Sequence, residues 1–394
     1  MCIRDRRKVV LIIATALVIG GCAISFGAFA AADFRLENLS NMPRDWTEVT
    51  ETLDAESVAA HNAIIVDSEA GDVRFEASSS DAIEVTYWKG ELRNTEITDT
   101  NGELHITCTS KPRIGVMIMD FDFTDRSTVV KVPASFAGSV TVRSHEGSTT
   151  IDDMPSLSAV SVTTNNGHAH IGRSTADSVE LRTENGVVDI SDVTANSVEA
   201  FTRNGSVQMA FIEAAGAVTA QGGNGTISVN DLRAATLSVF AESGSIELRG
   251  IDADTVETRS QTGNQHLNDV TTGRLTAQSM QGSIDGTALV ARDGASIQAD
   301  TGEVSLSFTG SAEDYAIDAS SASGNVHAPQ GSPSATKRIV VRTTIGNIDL
   351  YLSESPSALR DEQAPGGGNG TGVPSAPVPP TAPEAPKAPS APTA

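Results

Sequence analysis

The stretch Val160-Ser-Val-Thr-Thr-Asn-Asn-Gly167-His-Ala-His-Ile171 is followed by Val179-Glu-Leu-Arg-Thr-Glu-Asn-Gly186-Val-Val-Asp-Ile190 and then by Val198-Glu-Ala-Phe-Thr-Arg-Asn-Gly205-Ser-Val-Gln-Met209. On both sides of each glycine, apolar residues alternate with polar ones, the period-2 signature of a strand with one buried face. The glycine supplies a positive φ at little cost, so each segment reads as two short strands joined at a tight corner.

The pattern extends in both directions. A turn glycine recurs at 147, 167, 186, 205, 225, 244, 263, 282, 302, 324 and 346, with spacings of 19 to 22 residues. Seven residues before it the chain is apolar every time, from Val140 to Ile339, and four residues after it only Gly286 breaks the rule. Three residues before it stands a small residue, such as Thr164, Thr183, Thr202 or Ser260, which suits a crowded corner. Asn-Gly between alternating apolars is also a strong hairpin signal, so an antiparallel meander competes. A long meander would expose one broad apolar face, and no amphipathic helix is available to cover it. Wrapping each repeat onto the last buries every inward side chain, and the pattern therefore predicts an all-β fold, a parallel β-solenoid (β-helix) of two-strand rungs about 19–20 residues long. Handedness and oligomeric state are not encoded in this pattern.

Earlier repeats are read at Ile64, Val66, Gly71, Val73 and Phe75, and again at Ile97, Gly102, Leu104 and Ile106. Residues 111–133 break the period and read as an insertion or cap over the upper core, since an open end would offer strand edges to other chains. The expected organisation is a signal or transmembrane anchor over 1–32, a juxtamembrane linker over 33–57, N-terminal rungs with a cap over 58–138, the regular solenoid over 139–354, and a disordered tail over 355–394. That tail is rich in Pro, Ala and Gly and cannot bury a core.

Residues 9–32 carry no charge and follow Arg4, Arg6, Arg7 and Lys8. A run of this length can span a bilayer, with the cations holding its start in the cytoplasm. The expected location is thus the bacterial cell membrane, single-pass, with the body extracytoplasmic. Two alternatives keep the same placement: Ile19-Gly-Gly-Cys22 resembles a lipobox in which Cys22 is acylated, and Ala28-Phe-Ala30 offers a signal-peptidase pattern.

The composition narrows the function. The chain has 394 residues and a net charge of -23, from 27 Lys and Arg against 50 Asp and Glu, and this balance argues against nucleic acid as a partner. Aromatics make up only 4%, so the core must be built of Val, Ile, Leu and Ala. Of the three cysteines, Cys2, Cys22 and Cys108, only Cys108 lies in the body, so there is no disulfide framework; at inward parity beside Leu104 and Ile106 it reads as a small buried hydrophobe.

The segment Asn62-Ala-Ile-Ile-Val-Asp-Ser-Glu-Ala-Gly-Asp-Val-Arg-Phe-Glu, then Ile83-Glu-Val-Thr-Tyr, and later Val129-Val-Lys-Val-Pro leading into Val140-Thr-Val-Arg-Ser, resembles the bacterial putative adhesin family of unknown function. The resemblance covers about residues 9–352. It implies an N-terminal membrane segment and an extracytoplasmic β-strand repeat domain, and it brings no catalytic residues.

Chemistry-bearing patterns are sparse. His145, His168 and His170 could face one surface as a metal site, but no carboxylate or Cys joins them at a metal-site spacing. Asp120, Asp122 and Asp125 lack the glycine and closing Glu of a calcium loop, and Gly222-Gly-Asn-Gly225 matches a calcium-binding repeat only once. Ser334-Ala-Thr-Lys337 has the Ser-x-x-Lys spacing without its partner motifs. No catalytic residue, metal site or cofactor is assigned. The outward positions hold Glu180, Glu199 and Glu257 in one column and Arg143, Arg182, Arg259 and Arg342 in another, with Phe201 and Phe240 between. These columns read as solvated surface, with the two Phe as stacking platforms if the face takes a glycan.

The expected protein is therefore a non-enzymatic, membrane-anchored cell-surface rod, adhesin-like or envelope-structural, whose partners are the membrane and an envelope glycan or surface protein. The alternatives are an accessory protein in envelope-stress signalling and a polysaccharide-acting β-helix enzyme.

Overall fold

The computed structural model describes residues 17–18, 21, 25–27, 30, 46–54, 58, 61–91, 93–111, 125–154 and 156–353. It is an all-β parallel solenoid of about ten turns with almost no helix. In the regular coil, Val160 and Val162 lie in parallel register between Val140 and Val142 of one layer and Val179 and Leu181 of the next. On the following side Ile171 sits between Ile151 and Ile190. All of these side chains are at most 2% exposed. Burying each contributes roughly 1.5–3 kcal/mol, so the stacking itself is the source of stability.

Each turn has three sides, where the sequence pattern predicts two. Within Ala169–Asn185 the buried side chains are Ala169 and Ile171, then Ser174 and Ala176, then Val179, Leu181 and Thr183. The two places where the alternation skips a residue are corners that the glycine spacing does not mark. The first is held by residues in the left-handed region, among them Arg173 (φ 45), Asp192 (φ 55), Phe211 (φ 56), Asp231 (φ 51) and Asp269 (φ 55). The short third side then stacks like the others, with Val193 on Ile212 and Val270 on Leu289.

The glycine corner explains three sequence features together. Gly205 has φ 155, and a Cβ there would stand 1.8 Å from the carbonyl oxygen of Gly186 one layer away, so no side chain fits. The small residue three positions earlier is an anchor: Thr164, Thr183 and Thr202 each donate a hydroxyl hydrogen bond to the glycine carbonyl of the preceding layer, at 3.3, 3.1 and 3.0 Å. The asparagines form a ladder in which Asn185, Asn204 and Asn224 donate from Nδ2 to Oδ1 of Asn166, Asn185 and Asn204 at 2.9–3.0 Å. These Asn-Gly pairs turn corners of a coil and join no antiparallel strands.

One Asn-Gly is a true hairpin. Asn101 (φ 56) and Gly102 (φ 80) join Arg93–Thr100 to the antiparallel Glu103–Ser110, so Gly102 is not a coil corner as its spacing suggests. Leu104 and Ile106 still face inward, but they stack on Ile64 and Val66, two positions that precede their corner.

Both ends of the coil depart from chain order. Ala63–Ala70 lies between Glu103–Ser110 outside it and Ser139–Glu146 inside it, so the first layer in sequence is the second in space. Thr128–Pro133, from the segment read as a cap, stacks outside Val73–Ser78. At the other end Lys337–Ile345 lies between Ile284–Thr301 and Tyr315–Ser323, so the last layer in sequence is inserted one layer in. Antiparallel strands shield the N-terminal edges. Ile83–Lys89 pairs with Thr128–Pro133, and Thr47–Leu53, inside the expected linker, pairs with Ile83–Lys89.

Among the described residues no helix is long and apolar enough to cross a membrane. Leu17, Val18, Gly21, Ser25, Phe26, Gly27 and Ala30 are helical. Cys22 and the tail from residue 354 lie outside the described residues.

Candidate functional site

The first side of the coil presents one outward column in strict register: Arg143, Thr163, Arg182, Phe201, Gln221, Phe240, Arg259 and Gln278. Period-2 alternation places these residues outward because Val140, Val160 and their successors face in. Phe201 and Phe240 are half-buried against the sheet and flank Gln221, so the rings stand two layers apart, roughly 10 Å.

The arginines of this side are engaged within the chain. Arg182 donates from Nε to Glu180 and from Nη2 to Glu199, and its guanidinium carbon lies 5.7 Å from the Phe201 ring centroid. The Glu180 hydrogen bond is the main reason the Arg182 pKa is raised. Arg259 donates to Gln278 at 3.1 Å and to Glu257 at 3.4 Å, Arg143 to Asp67 at 3.4 Å, and Arg342 to Asp318 at 3.0 Å. Pairs this exposed are worth little to stability. They occupy the guanidiniums, and the two rings with Gln221 between them are the shaped part of the face.

The remaining patterns separate. His145 accepts from Asn165 Nδ2 at 2.8 Å, whereas His170 is half-buried between Asp189 at 2.9 Å and Asp152 at 3.4 Å, and His168 sits at the glycine corner. Among the described residues no group of three or more His, Cys, Asp or Glu is arranged to hold a metal ion. Asp125 accepts the Ser127 backbone N–H at 3.0 Å, the main reason its pKa is lowered, and pairs with Arg74 at 3.4 Å; Asp120 and Asp122 lie outside the described residues. In the glycine run, a Cβ at Gly222 would press on Ile227 at 3.2 Å and one at Gly223 would stand 2.4 Å from the Arg203 carbonyl, so packing accounts for both. Ser334 meets Ser332 at 3.1 Å and the Lys337 ammonium lies 5.5 Å over the Tyr315 ring. Cys108 is buried, as its parity predicts, but it has polar neighbours, with Thr95 and Thr128 hydroxyls each 3.6 Å from the sulfur.

Among the described residues, Asp285 is the carboxyl whose pKa is raised. Burial drives it up, and His266 at 3.5 Å acts in the opposite sense. Sequence reasoning did not single it out, because its outward parity on the second side looks like any other polar position.

The model of the Toastrack DUF4097 family matches residues 61–224 and again 194–351. No curated protein matches the chain in sequence. Similar solved structures include a putative cell adhesion protein from Clostridium sporogenes, 8% identical, covering 78% of this chain and 100% of that one at a TM-score of 0.28. A putative adhesin from Bacteroides fragilis is 14% identical, covering 77% and 97% at 0.31, and one from Parabacteroides merdae is 13% identical, covering 77% and 96% at 0.33.

Proposed function

We propose, from the premise that the chain belongs to the Toastrack DUF4097 family, that it works as a non-enzymatic, membrane-anchored rod of the bacterial envelope. Its first side is a binding face for an extended envelope or cell-surface glycan. The observation that carries this reading is the in-register column in which Phe201 and Phe240 flank Gln221. Ring faces are apolar platforms suited to the C–H face of a sugar. Rings roughly 10 Å apart suit alternate residues of an extended chain, with the Gln221 amide left to hydrogen-bond the sugar between them. The parallel ladder fixes this spacing without any ligand, so little ordering is needed on binding.

Anchoring is supported by Arg7 and Lys8, by the uncharged run 9–32 that follows them, and by the helical residues within it, where Leu17, Val18 and Phe26 are 65–71% exposed. Exposed apolar helical side chains are suited to lipid.

The test is a glycan screen with the full-length chain in lipid nanodiscs, beside the variants Phe201→Ser and Phe240→Ser. Retained glycan that dissociates intact and is lost in both variants supports the reading. Shortening of the glycan would replace it with the polysaccharide-acting enzyme. Co-purification of membrane proteins that depends on residues 9–32 and ignores both Phe variants would replace it with the envelope-stress accessory.

A further inference from the structure

The corner six residues after each glycine carries a second pattern, on a different side from the proposed glycan face. Asp153, Asp192, Asp231 and Asp269 occupy it in every second layer, and Arg173, Phe211, Gly250 and Ala288 fill the layers between. These residues share the left-handed backbone, which suits Asp and Gly and strains a bulky side chain. Arg173 binds Asp153 at 2.6 Å and so neutralises the first position. Asp192, Asp231 and Asp269 make no ion pair among the described residues.

Phe211 stands out. It has φ 56 and is 62% exposed, so its ring adds little to the core while it occupies a backbone conformation costly for an aromatic. It overlooks a depression of about 560 Å³ shared with Asp192, Glu213, Asp231, Arg233 and Asp252. These five ionisable residues sum to -3, four carboxylates against one guanidinium, but Asp252 is engaged by Arg233 at 3.8 Å and by Arg292 at 3.4 Å, so the carboxylates left to a ligand are Asp192, Glu213 and Asp231. A ring face bordered by carboxylates attracts a cation on both counts.

We propose that this groove docks an extended basic segment of a partner protein, with one Arg or Lys head at Asp192 and beside the Phe211 ring one layer away. Successive cations of that segment reach Asp231 and Asp269. The spacing selects a peptide: the aspartates repeat every two layers, roughly 10 Å, which three residues of an extended chain also span. Gly250 leaves room between Asp231 and Asp269 for the intervening side chains.

The full-length chain in nanodiscs is titrated with a twelve-residue peptide bearing Arg at every third position, with a scrambled peptide of the same composition, and with spermine. The ordered peptide should bind about fivefold or more tightly than the scrambled one, and high salt should abolish binding. Phe211→Asn, which keeps a residue tolerant of the left-handed corner, should weaken binding about fivefold and leave Tm unchanged or higher. Equal binding of all three probes would show diffuse charge attraction and overturn the proposal. A drop in Tm for Phe211→Asn would overturn it too, by making the ring a structural element, as would binding that this variant leaves unchanged.

Discussion

The regular coil and the end layers use the same repeat, yet they are assembled differently. From Gly147 to Gly302 the layers stack in chain order, each glycine over the carbonyl of the one before. At the ends the same offsets persist while the order inverts: Gly346 contacts the Gly302 carbonyl, and Gly324 contacts that of Gly346. A repeat pattern therefore specifies how a layer is built and which side chains face in. It does not specify which layer comes next, because every layer offers its neighbour the same register.

The comparison predicts its largest effect at the glycines. Gly205→Ala, in the regular coil, should cost about 3 kcal/mol or more, because its Cβ meets backbone that cannot move away. Gly102→Ala, in the end hairpin, should cost about 1 kcal/mol, the penalty of a left-handed residue at a turn. Urea titrations of the two variants giving equal losses would break the distinction between coil corner and hairpin.

Ile339 and Ile317 hold equivalent positions in the last two repeats of the sequence. Ile339 is fully buried because its layer is inserted, whereas Ile317, in the outermost layer, is half-buried. Ile339→Ala should cost about 2–3 kcal/mol and Ile317→Ala clearly less. The reverse ranking would mean that the layers stack in chain order after all.

Smaller effects come from the charges. Asp125, near the N-terminal end, has its pKa lowered, so it contributes stability above the ordinary value of 3.8 that is lost as pH falls through the folded value. Asp285, in the regular coil, has its pKa raised, so its contribution has the opposite sign and disappears as pH rises through the folded value. In acid titrations Asp125→Asn should therefore flatten the loss of stability at low pH, and Asp285→Asn should raise stability only at neutral pH. Smallest of all is Arg182→Gln, expected to cost under about 1 kcal/mol and less in high salt, since its partners are exposed.

The inward columns from Val140 to Ile339 were legible because burial repeats at fixed offsets from glycine. The third side was legible only as an apolar seventh residue after the glycine, such as Val193, Ile212 and Val270, all buried; that it forms a side of its own was not, since its alternation is short and begins after a corner of Asp, Arg and Phe that resembles ordinary polar surface. Asn-Gly was ambiguous for a physical reason: the dipeptide serves a hairpin at Asn101, where both residues adopt positive φ, and a ladder at Asn185, where only the glycine does. The first-side column of Arg, Glu and Phe was readable by parity, whereas the pairing that occupies its arginines depends on neighbours one layer away. Phe211 was invisible as a site, because its exposure follows from a backbone corner and not from hydrophobic pattern.

Engineered cysteines test the stacking most directly. Gln298 pairs in register with Arg342, and Arg342 in turn with Ser320. Adjacent strands in register bring Cα atoms within disulfide range, and strands two layers apart do not. Under mild oxidation, peptide mapping of the full-length chain should find the disulfide in the Gln298→Cys, Arg342→Cys variant and none in Gln298→Cys, Ser320→Cys. Cross-linking of the second pair and not the first would contradict the inserted layer, and cross-linking of neither would contradict the parallel coil itself.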